Sequence, residues 1–525
     1  MVVATTIHLR QTVGMRSISR PSRQPALAGA ALLVVLVAIV VWLQIRRGEV
    51  IGGDQMIWMH IAHWNALGEP LYSGVWEHKD AGLFLIYRFA EDLGGTVPLR
   101  LLGATAAAVS GWSVWRVYRS SLGLDGRDWY HLAAALTWCV FAFSSPSFLY
   151  TYTENFAFAL FVLGLTFRKS FPLAGIAFGV SCCVKIGFII PTLFVIAYWV
   201  VTDWGVRSPS TGDGRRGHCG SALKSISSLI SSFLLVPAVV CFVVLESEER
   251  RGWLEVIRYN VYYSDVRREG VSFLRSQIVS VHATPEGLAV AFVVLIAFLI
   301  VLISLFKVGG GLVQRFTSLR VHEWAFIGIA AMSVLQSPLN LHHWYPLSAS
   351  ALIVIVGSLF AAPNRRSSRS PRNPIGKAGP ASRIGLLFAA CVLALNTSTL
   401  WAAEARPELI DEESVSVALN SRSMNKGTAD VLVIGGNSRY FPLGSDSQTF
   451  ALQCRFLVWF WWVEDYFLNE MEECFEQDPD LVYVMDDRNL GARTSDFISS
   501  LPGRGFSSCS ATAGVRLFIR GRACG

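Results

Sequence analysis

The chain has 525 residues, of which 52% are hydrophobic and only 16% are charged, and its mean hydropathy is +0.44. Because soluble domains are near one quarter charged, this composition excludes a soluble enzyme. The net charge of +7 combines two opposite halves: from Glu404 onward, 11 Lys and Arg stand against 18 Asp and Glu, a charge of −7, whereas the preceding part, with 34 against 20, carries +14.

Long apolar runs dominate the positive half. A bilayer core needs roughly 20 apolar residues per helix, and eleven runs approach that requirement. They are 26–44, 98–117, 130–149, 156–167, 171–183, 186–201, 225–245, 287–306, 324–336, 345–362 and 384–401. The pair 171–183 and 186–201 could also be one long tilted helix. The pattern predicts a polytopic α-helical membrane protein of about 11 transmembrane helices.

Basic residues orient these spans, since short cytoplasmic loops hold an excess of Lys and Arg. With eleven spans and an internal N-terminus, the basic segments between spans fall on the cytoplasmic side of the plasma membrane. The arrangement predicts a cytoplasmic arm at 1–25, a membrane domain at 26–401 whose first external loop is 45–97, and an exported domain at 402–525. The basic excess is thereby assigned to topology and does not indicate nucleic acid.

The acidic tail has a different periodicity from the membrane part. Short strand-type runs at 431–434, 481–485 and 515–519 alternate with helical patterns at 454–476 and 495–501, an order typical of α/β domains. The tail is therefore predicted to be a small extracytoplasmic α/β domain.

Cysteines support this division. Six of the ten lie in spans or a cytoplasmic loop, and four lie in the tail, namely Cys454, Cys474, Cys509 and Cys524. An even number in an exported domain suits disulfides. If 454–476 is one unbroken helix, Cys454 and Cys474 are about 30 Å apart and cannot pair with each other, which leaves two connectivities.

The first external loop concentrates acidic, basic and aromatic side chains. At 55–67, Ile57 and Ile61 recur at helical spacing, which predicts an amphipathic helix on the outer membrane surface. Asp54 precedes this helix, and a Trp-Glu-His-Lys sequence at 76–79 follows it. A carboxylate and a cation are thus expected near one pocket at membrane level.

These residues resemble the GT-C superfamily of polytopic glycosyltransferases, whose members carry an acidic residue after the first helix and then Gly, Tyr, Trp and Lys ahead of a Pro pair. The matching residues are Asp54, Gly68, Tyr72, Trp76 and Lys79. The match fails at Asp80-Ala81, where the Pro pair is missing. Further similarities are Thr153-Glu154-Asn155, Gly175 and Gly179 with Lys185, and His342-His343 with Tyr345. Members of the superfamily that carry such a pattern include protein O-mannosyltransferases and lipid A aminoarabinose transferases.

The resemblance implies inverting transfer of a monosaccharide from a polyprenyl-phosphate carrier to a lipid, glycan or protein acceptor outside the membrane. Such transfer needs a carboxylate to deprotonate the acceptor hydroxyl and cations to offset charge on the departing phosphate. Asp54 is assigned as the general base, and Glu154 as the second acid that holds the acceptor or a metal ion. The phosphate ligands are expected to be Lys79, Lys185, Arg258, His343 and Tyr345.

Each assignment has an alternative. Asp54 could be a helix cap or surface carboxylate, Glu154 a favourable charge at a helix N-terminus, Lys79 an exposed loop lysine, and Arg258 a solvated charge paired with nearby glutamates. Lys185 within an apolar stretch requires a partner or ligand, or else it reaches outward to the headgroups. Glu77 and the His342-His343 pair are candidate ligands of a divalent cation, as in some members of the superfamily, or hydrogen-bond partners of sugar or phosphate. The need for a metal cofactor stays open.

Two other functional classes compete with a glycosyltransferase. A transporter or flippase of lipid-linked sugars would have charged groups near the bilayer midplane and pseudo-symmetric halves, whereas here the polar candidates cluster at one edge. A non-catalytic envelope scaffold would use the tail to bind a partner. The sequence favours the enzyme, with membrane lipids and the polyprenyl-phosphate donor as its partners.

Overall fold

The structure is a computed structural model, and it describes most of the helical part and about half of the tail. The described residues are 53–72, 76–122, 152–205, 215–269, 285–307, 315–316, 318–335, 344–361, 430–434, 451–452, 461–477, 479, 481–484, 490–510 and 516–521.

The described helices of the helical part lie between residues 53 and 361. Its α-helices are α1 (Gly53–Ala66), α2 (Ala81–Asp92), α3 (Thr96–Leu122), α4 (Thr153–Thr166), α5 (Phe171–Val184), α6 (Ile189–Gly205), α7 (Arg215–Val239), α8 (Ser247–Glu269), α9 (Pro285–Lys307), α10 (Val321–Leu335) and α11 (Trp344–Ala361). A 3₁₀ turn, Ile186–Phe188, precedes α6, and a π-helical turn, Val240–Val244, extends α7.

Eight of the eleven predicted spans fall on these helices. The other three, 26–44, 130–149 and 384–401, lie outside the described residues, as does the cytoplasmic arm. Within the described part of the chain, one helix, Leu223–Val244, is long and apolar enough to cross a bilayer, with 22 residues and a mean hydropathy of 2.3. Six further apolar helices there are 10–17 residues long.

Small residues allow close packing of α5 against α7. A Cβ atom added at Gly179 would lie 2.8 Å from the carbonyl oxygen of Phe233, and one at Gly175 would overlap the carbonyl oxygen of Leu229. A glycine every four residues brings two helix backbones together where larger side chains would separate them. The Gly175 and Gly179 pair thus has a packing role.

The chain breaks between α5 and α6 at Lys185, whose backbone is extended (φ −150°, ψ 107°). The segment 171–201 is therefore two helices and not one long continuous helix. The break places the Lys185 side chain at the end of α5.

The tail contains a five-stranded mixed sheet in the order β2-β1-β3-β5-β4. Its strands are β1 (Asp430–Ile434), β2 (Ala451–Leu452), β3 (Leu481–Val484), β4 (Phe506–Ser510) and β5 (Arg516–Arg520). The central three strands, β1, β3 and β5, are those predicted from the sequence, and β1 pairs in parallel with β2 and β3. Strands β3 and β4 both pair antiparallel with β5.

The helical stretch before β3 differs from the prediction of one helix over 454–476. In the described residues it is two helices, α12 (Trp461–Tyr466) and α13 (Leu468–Glu476), separated at Phe467. Phe467 leaves the helical conformation (φ −114°, ψ 28°) and its side chain is buried. After β3 follows α14 (Ala492–Ser500).

Cysteine states agree with the predicted division. Cys182, Cys183 and Cys241 of the helical part are free, whereas Cys474 of the tail is disulfide-bonded. The other three tail cysteines lie outside the described side chains. Because 454–476 is not one unbroken helix, a Cys454–Cys474 pair is no longer excluded by helix length, and the pairing of Cys474 stays open.

Candidate functional site

Trp58 is the hub around which the first loop packs. Its buried ring lies edge-on to Tyr87 of α2 and to Tyr152, the residue before α4, with centroid separations of 5.6 and 5.5 Å. The ammonium of Lys79 lies 5.7 Å from its centroid. Asp54 lies in the first turn of α1, one turn before Trp58, and its side chain is outside those described.

Glu154 and Lys185 form a buried ion pair between the start of α4 and the end of α5. Their side chains are only 4% and 14% exposed. Charges this far from water require compensation, and each supplies it for the other. Glu154 is therefore the partner that the sequence predicts for Lys185. The residue predicted as the second acid thus lies in direct contact with a residue predicted as a phosphate ligand.

Asp80, which the sequence analysis treated only as a departure from the Pro pair, connects three segments. Its Oδ2 accepts a hydrogen bond from the backbone N–H of Ile186 at 2.9 Å, and its Oδ1 accepts one from the Trp253 indole of α8 at 3.3 Å. Burial of this carboxyl raises its pKa to about 6, although these hydrogen bonds and the nearby Lys185 and Lys79 act in the opposite direction.

The residue after Ala81 is Gly82, and a close approach between the backbones of α2 and α5 explains why it is a glycine. A Cβ atom at position 82 would lie 2.6 Å from the carbonyl carbon of Cys183, so only glycine allows α2 to begin against the end of α5. Asp80 is thereby held next to the α5–α6 break. The departure from the Pro pair brings a carboxylate to the start of α2 and a glycine to this contact.

The segment Glu77-His78-Lys79 forms a relay of polar contacts. Lys79 Nζ lies 2.7 Å from His78 Nε2, and His78 Nδ1 lies 2.5 Å from Glu77 Oε1. Burial alone would raise the pKa of Glu77, but His78 and Lys79 together lower it to about 2.

The metal assignment of Glu77 stays a prediction. In the part of the chain that the structure describes, no group of three or more His, Cys, Asp or Glu side chains could hold a metal ion. His342 and His343, the other residues proposed for a cation, lie outside that part.

The remaining residues of the Gly-Tyr-Trp-Lys pattern hold this segment in place. Gly68 ends α1 with φ +103°, and Tyr72, itself at φ +70°, donates its hydroxyl to the carbonyl of Lys79 at 2.9 Å. Glu249 of α8 accepts hydrogen bonds from the Leu71 N–H at 2.9 Å and the Asn65 amide at 3.1 Å. The start of α8 therefore supports the first loop.

The other predicted phosphate ligands lie at the edges of this region. Arg258 is exposed on α8. Tyr345 is buried in the first turn of α11, with its ring 5.4 Å from that of Phe158, one turn beyond Glu154 on α4. The structure thus brings Glu154, Lys185, Lys79 and Glu77 to one end of the helices, and Asp80, His78 and Trp58 join them.

The chain as a whole has a fold similar to that of solved structures of other proteins. The chain shares its fold with the apo crystal structure of ArnT from Cupriavidus metallidurans, at a TM-score of 0.50 and 14% identity over 94% of this chain and 98% of that one. The GT-C resemblance of the sequence is thereby confirmed at the level of the fold.

Two further solved structures show weaker similarity. ArnT from the same organism bound to undecaprenyl phosphate aligns at a TM-score of 0.45 and 12% identity over 96% of this chain and 99% of that one. Archaeal oligosaccharyltransferase AglB from Archaeoglobus fulgidus, in complex with an inhibitory peptide and a dolichol-phosphate, aligns at 0.44 and 12% over 95% and 74%. No protein-family model and no curated protein matches the sequence.

Proposed function

We propose that this protein is an integral-membrane glycosyltransferase that moves a monosaccharide from a polyprenyl-phosphate carrier to a lipid, glycan or protein acceptor. The observation that carries the proposal is the contact of the first loop with the α4–α5 pair: Lys79, Glu154 and Lys185 come from segments up to 106 residues apart and lie around Asp80 and Trp58. Buried charges gathered from distant segments are typical of functional sites.

In the proposed reaction, the acceptor hydroxyl oxygen bonds to the anomeric carbon while the bond from that carbon to the phosphate oxygen breaks. The hydroxyl proton passes to Asp54, and the bonding electrons leave with the phosphate. Lys79 offsets the charge that grows on the departing oxygen. Attack from the face opposite the phosphate inverts the anomeric centre.

The Glu154–Lys185 pair supplies the second part of the site. Because Lys185 already neutralises Glu154, the pair enters the donor complex without an uncompensated negative charge that would repel the phosphate. The phosphate attracts the Lys185 ammonium, and Glu154 is then available to accept a hydrogen bond from the sugar or acceptor. Asp80 holds the Ile186 backbone and so positions the lysine that precedes it.

The charge pattern of the sequence supports one membrane orientation, and contacts near the two ends of α4 are compatible with it. The first loop, α8 and the tail helices pack together near the α4 start, as expected for segments on one side. At the other end, Tyr118 in the last turns of α3 contacts His322 at the start of α10, two residues after Arg320. The proposed topology places the former end outside the plasma membrane and the N-terminus in the cytoplasm.

Transfer of radiolabelled sugar tests the proposal. Purified protein in lipid nanodiscs is incubated with a polyprenyl-phosphate monosaccharide and an envelope extract as the source of acceptor. Wild-type protein is expected to move label into acceptor, and Asp54→Asn to lose about a hundredfold or more of this rate, the typical contribution of a general base. Asp92→Asn, at the exposed end of α2, is the matched control.

Each outcome assigns a class. Full activity of folded Asp54→Asn would contradict the base assignment. Movement of the intact donor across the bilayer without transfer would identify a flippase. Absence of both transfer and transbilayer movement would identify a non-catalytic protein.

A further inference from the structure

The tail and the first external loop meet in a single cluster of aromatic rings. We name this cluster the aromatic clamp, and its members are Trp76, Tyr259, Tyr262, Tyr466 and Phe467. Phe467 lies 4.7 Å from Trp76 and 5.9 Å from Tyr259, centroid to centroid, and Tyr466 lies 5.2 Å from Tyr259 and 5.0 Å from Tyr262. Three chain segments therefore meet in the clamp: the first loop, α8 and the α12–α13 junction.

The clamp excludes water at its centre. Trp76 and Phe467 are each 4% exposed and Tyr259 is 1% exposed. Trp76 lies edge-on to Tyr259 at 4.8 Å, and Phe467 is nearly parallel to Tyr259, with 22° between the ring planes. Edge-on and offset-parallel pairs are the favourable geometries for aromatic rings. The non-helical backbone of Phe467 points its ring into this cluster.

The aromatic clamp is connected to Lys79 through the chain. Trp76 is followed by Glu77, His78 and Lys79, and the His78 ring lies 6.1 Å from that of Tyr259. Asn260, the next residue of α8, donates a hydrogen bond to the His78 carbonyl at 3.1 Å. The segment 76–79 is consequently held at its first residue by Phe467 and at His78 by α8.

The tail side of the clamp is itself anchored. The buried carboxylate of Glu464 in α12 accepts hydrogen bonds from the backbone N–H groups of Arg493 and Thr494 at 3.0 and 2.9 Å, and from the Thr494 hydroxyl at 2.6 Å. A carboxylate at the start of α14 also interacts favourably with the dipole of that helix. Phe467 therefore belongs to a fixed part of the tail.

We infer that Phe467 is a positioning residue for the donor phosphate, and that the tail is a structural component of the donor site. The inference rests on the proposed function for the identity of the phosphate ligand. In this account Phe467 acts through Trp76 on segment 76–79 and so fixes Lys79 beside Trp58. The tail would then be needed for donor binding, even though none of the charged residues assigned to donor binding lies in the tail.

The test compares two phenylalanines of the same tail. Phe467→Ala removes the contact with the loop. Phe475→Ala removes a ring of α13 that is also buried, 7% exposed against 4% for Phe467, and that stacks on Phe497 at 4.4 Å inside the tail. Phe467→Tyr restores a ring at the clamp. Full-length variants are examined by hydrogen exchange of the 76–80 amides and by binding of undecaprenyl phosphate.

The expected result is that Phe467→Ala speeds exchange at 76–80 about tenfold and weakens undecaprenyl phosphate binding about tenfold, as loss of the Trp76 and Tyr259 contacts implies. Phe475→Ala should leave both quantities near wild type, and Phe467→Tyr should restore them. Equal effects of the two alanine variants, or no effect of Phe467→Ala on exchange, would overturn the inference.

Failure of the proposed function has a different signature. If the wild-type protein binds no undecaprenyl phosphate, the donor assignment fails, while the exchange comparison still decides whether Phe467 holds segment 76–80.

Discussion

Buried acidic residues lie at both ends of α4, but their partners come from different places. At the α4 start, Glu154 pairs with Lys185 of another helix, and Asp80 is held by Ile186 and Trp253. The far end of α4, at Leu165, lies about 17 Å along the helix axis from Glu154 at 1.5 Å per residue. There Leu165 lines a cavity together with His322 of α10. The residue after His322 is the buried Glu323, in the first turn of α10.

Glu323 is satisfied mainly by its own helix. It accepts a hydrogen bond from the Arg320 N–H at 2.6 Å, the geometry of an N-terminal cap, and another from Ser304 at 3.2 Å. Local satisfaction of this kind serves the start of a helix. At the α4 start, by contrast, charges converge from three segments, namely 76–80, α4 and the end of α5, and we propose that this convergence serves a ligand.

The largest difference between the two ends should appear when one partner is removed. Lys185→Met removes the cation that compensates the buried carboxylate of Glu154, which costs roughly 3–5 kcal/mol of unfolding free energy. Ser304→Ala removes a neutral partner of Glu323 while the cap persists, and should cost about 1 kcal/mol. Thermal unfolding in detergent measures both values.

Two variants complete this comparison. Lys169→Met, an exposed lysine near the end of α4, should leave stability unchanged, and Glu154→Gln combined with Lys185→Met should recover most of the loss. Equal losses for Lys185→Met and Ser304→Ala would contradict the distinction between the ends.

A smaller effect is expected from the titration of Asp80. Its pKa is raised from 3.8 to about 6 in the folded protein, so the folded state holds the proton more tightly than the unfolded state. The stabilisation is present below pH 4 and is lost as the pH rises through 6, by about 2–3 kcal/mol. Asp80→Asn should remove this slope.

The free energy of unfolding of wild type and Asp80→Asn, measured between pH 4 and 8, checks whether stability falls as the pH rises. The difference in slope is the informative quantity, because the asparagine amide must face one of the two N–H donors and lowers stability at every pH. Parallel curves would show that Asp80 does not titrate as its burial implies.

Local sequence patterns predict the helices and strands, but not which of them contact each other in the fold. The helix at 55–67, the break at Lys185 and the strands β1, β3 and β5 follow from hydrophobic periodicity and charge, which are properties of neighbouring residues. The need of Lys185 for a partner was also evident from its apolar surroundings. That the partner is Glu154, 31 residues away, depends on how α4 packs on α5, which no local pattern encodes.

Asp80 and Phe467 were missed for related reasons. Asp80 was read against an expected Pro pair, and its two hydrogen-bond donors, Ile186 and Trp253, lie more than 100 residues away. The helical pattern of 454–476 concealed the break at Phe467, because the periodicity of α12 and α13 continues across one non-helical residue. A tertiary contact with Trp76 accompanies that local departure.

Binding of undecaprenyl phosphate to paired lysine variants tests the central claim, that the α4 start and not the other end receives the donor. Lys79→Gln removes the ammonium beside Trp58, and Lys307→Gln removes an exposed lysine at the end of α9. The account predicts that Lys79→Gln weakens binding by about tenfold to a hundredfold, the value of a charge-assisted contact, and that Lys307→Gln leaves it unchanged. Equal affinity of both variants with wild type, or a loss confined to Lys307→Gln, would contradict it.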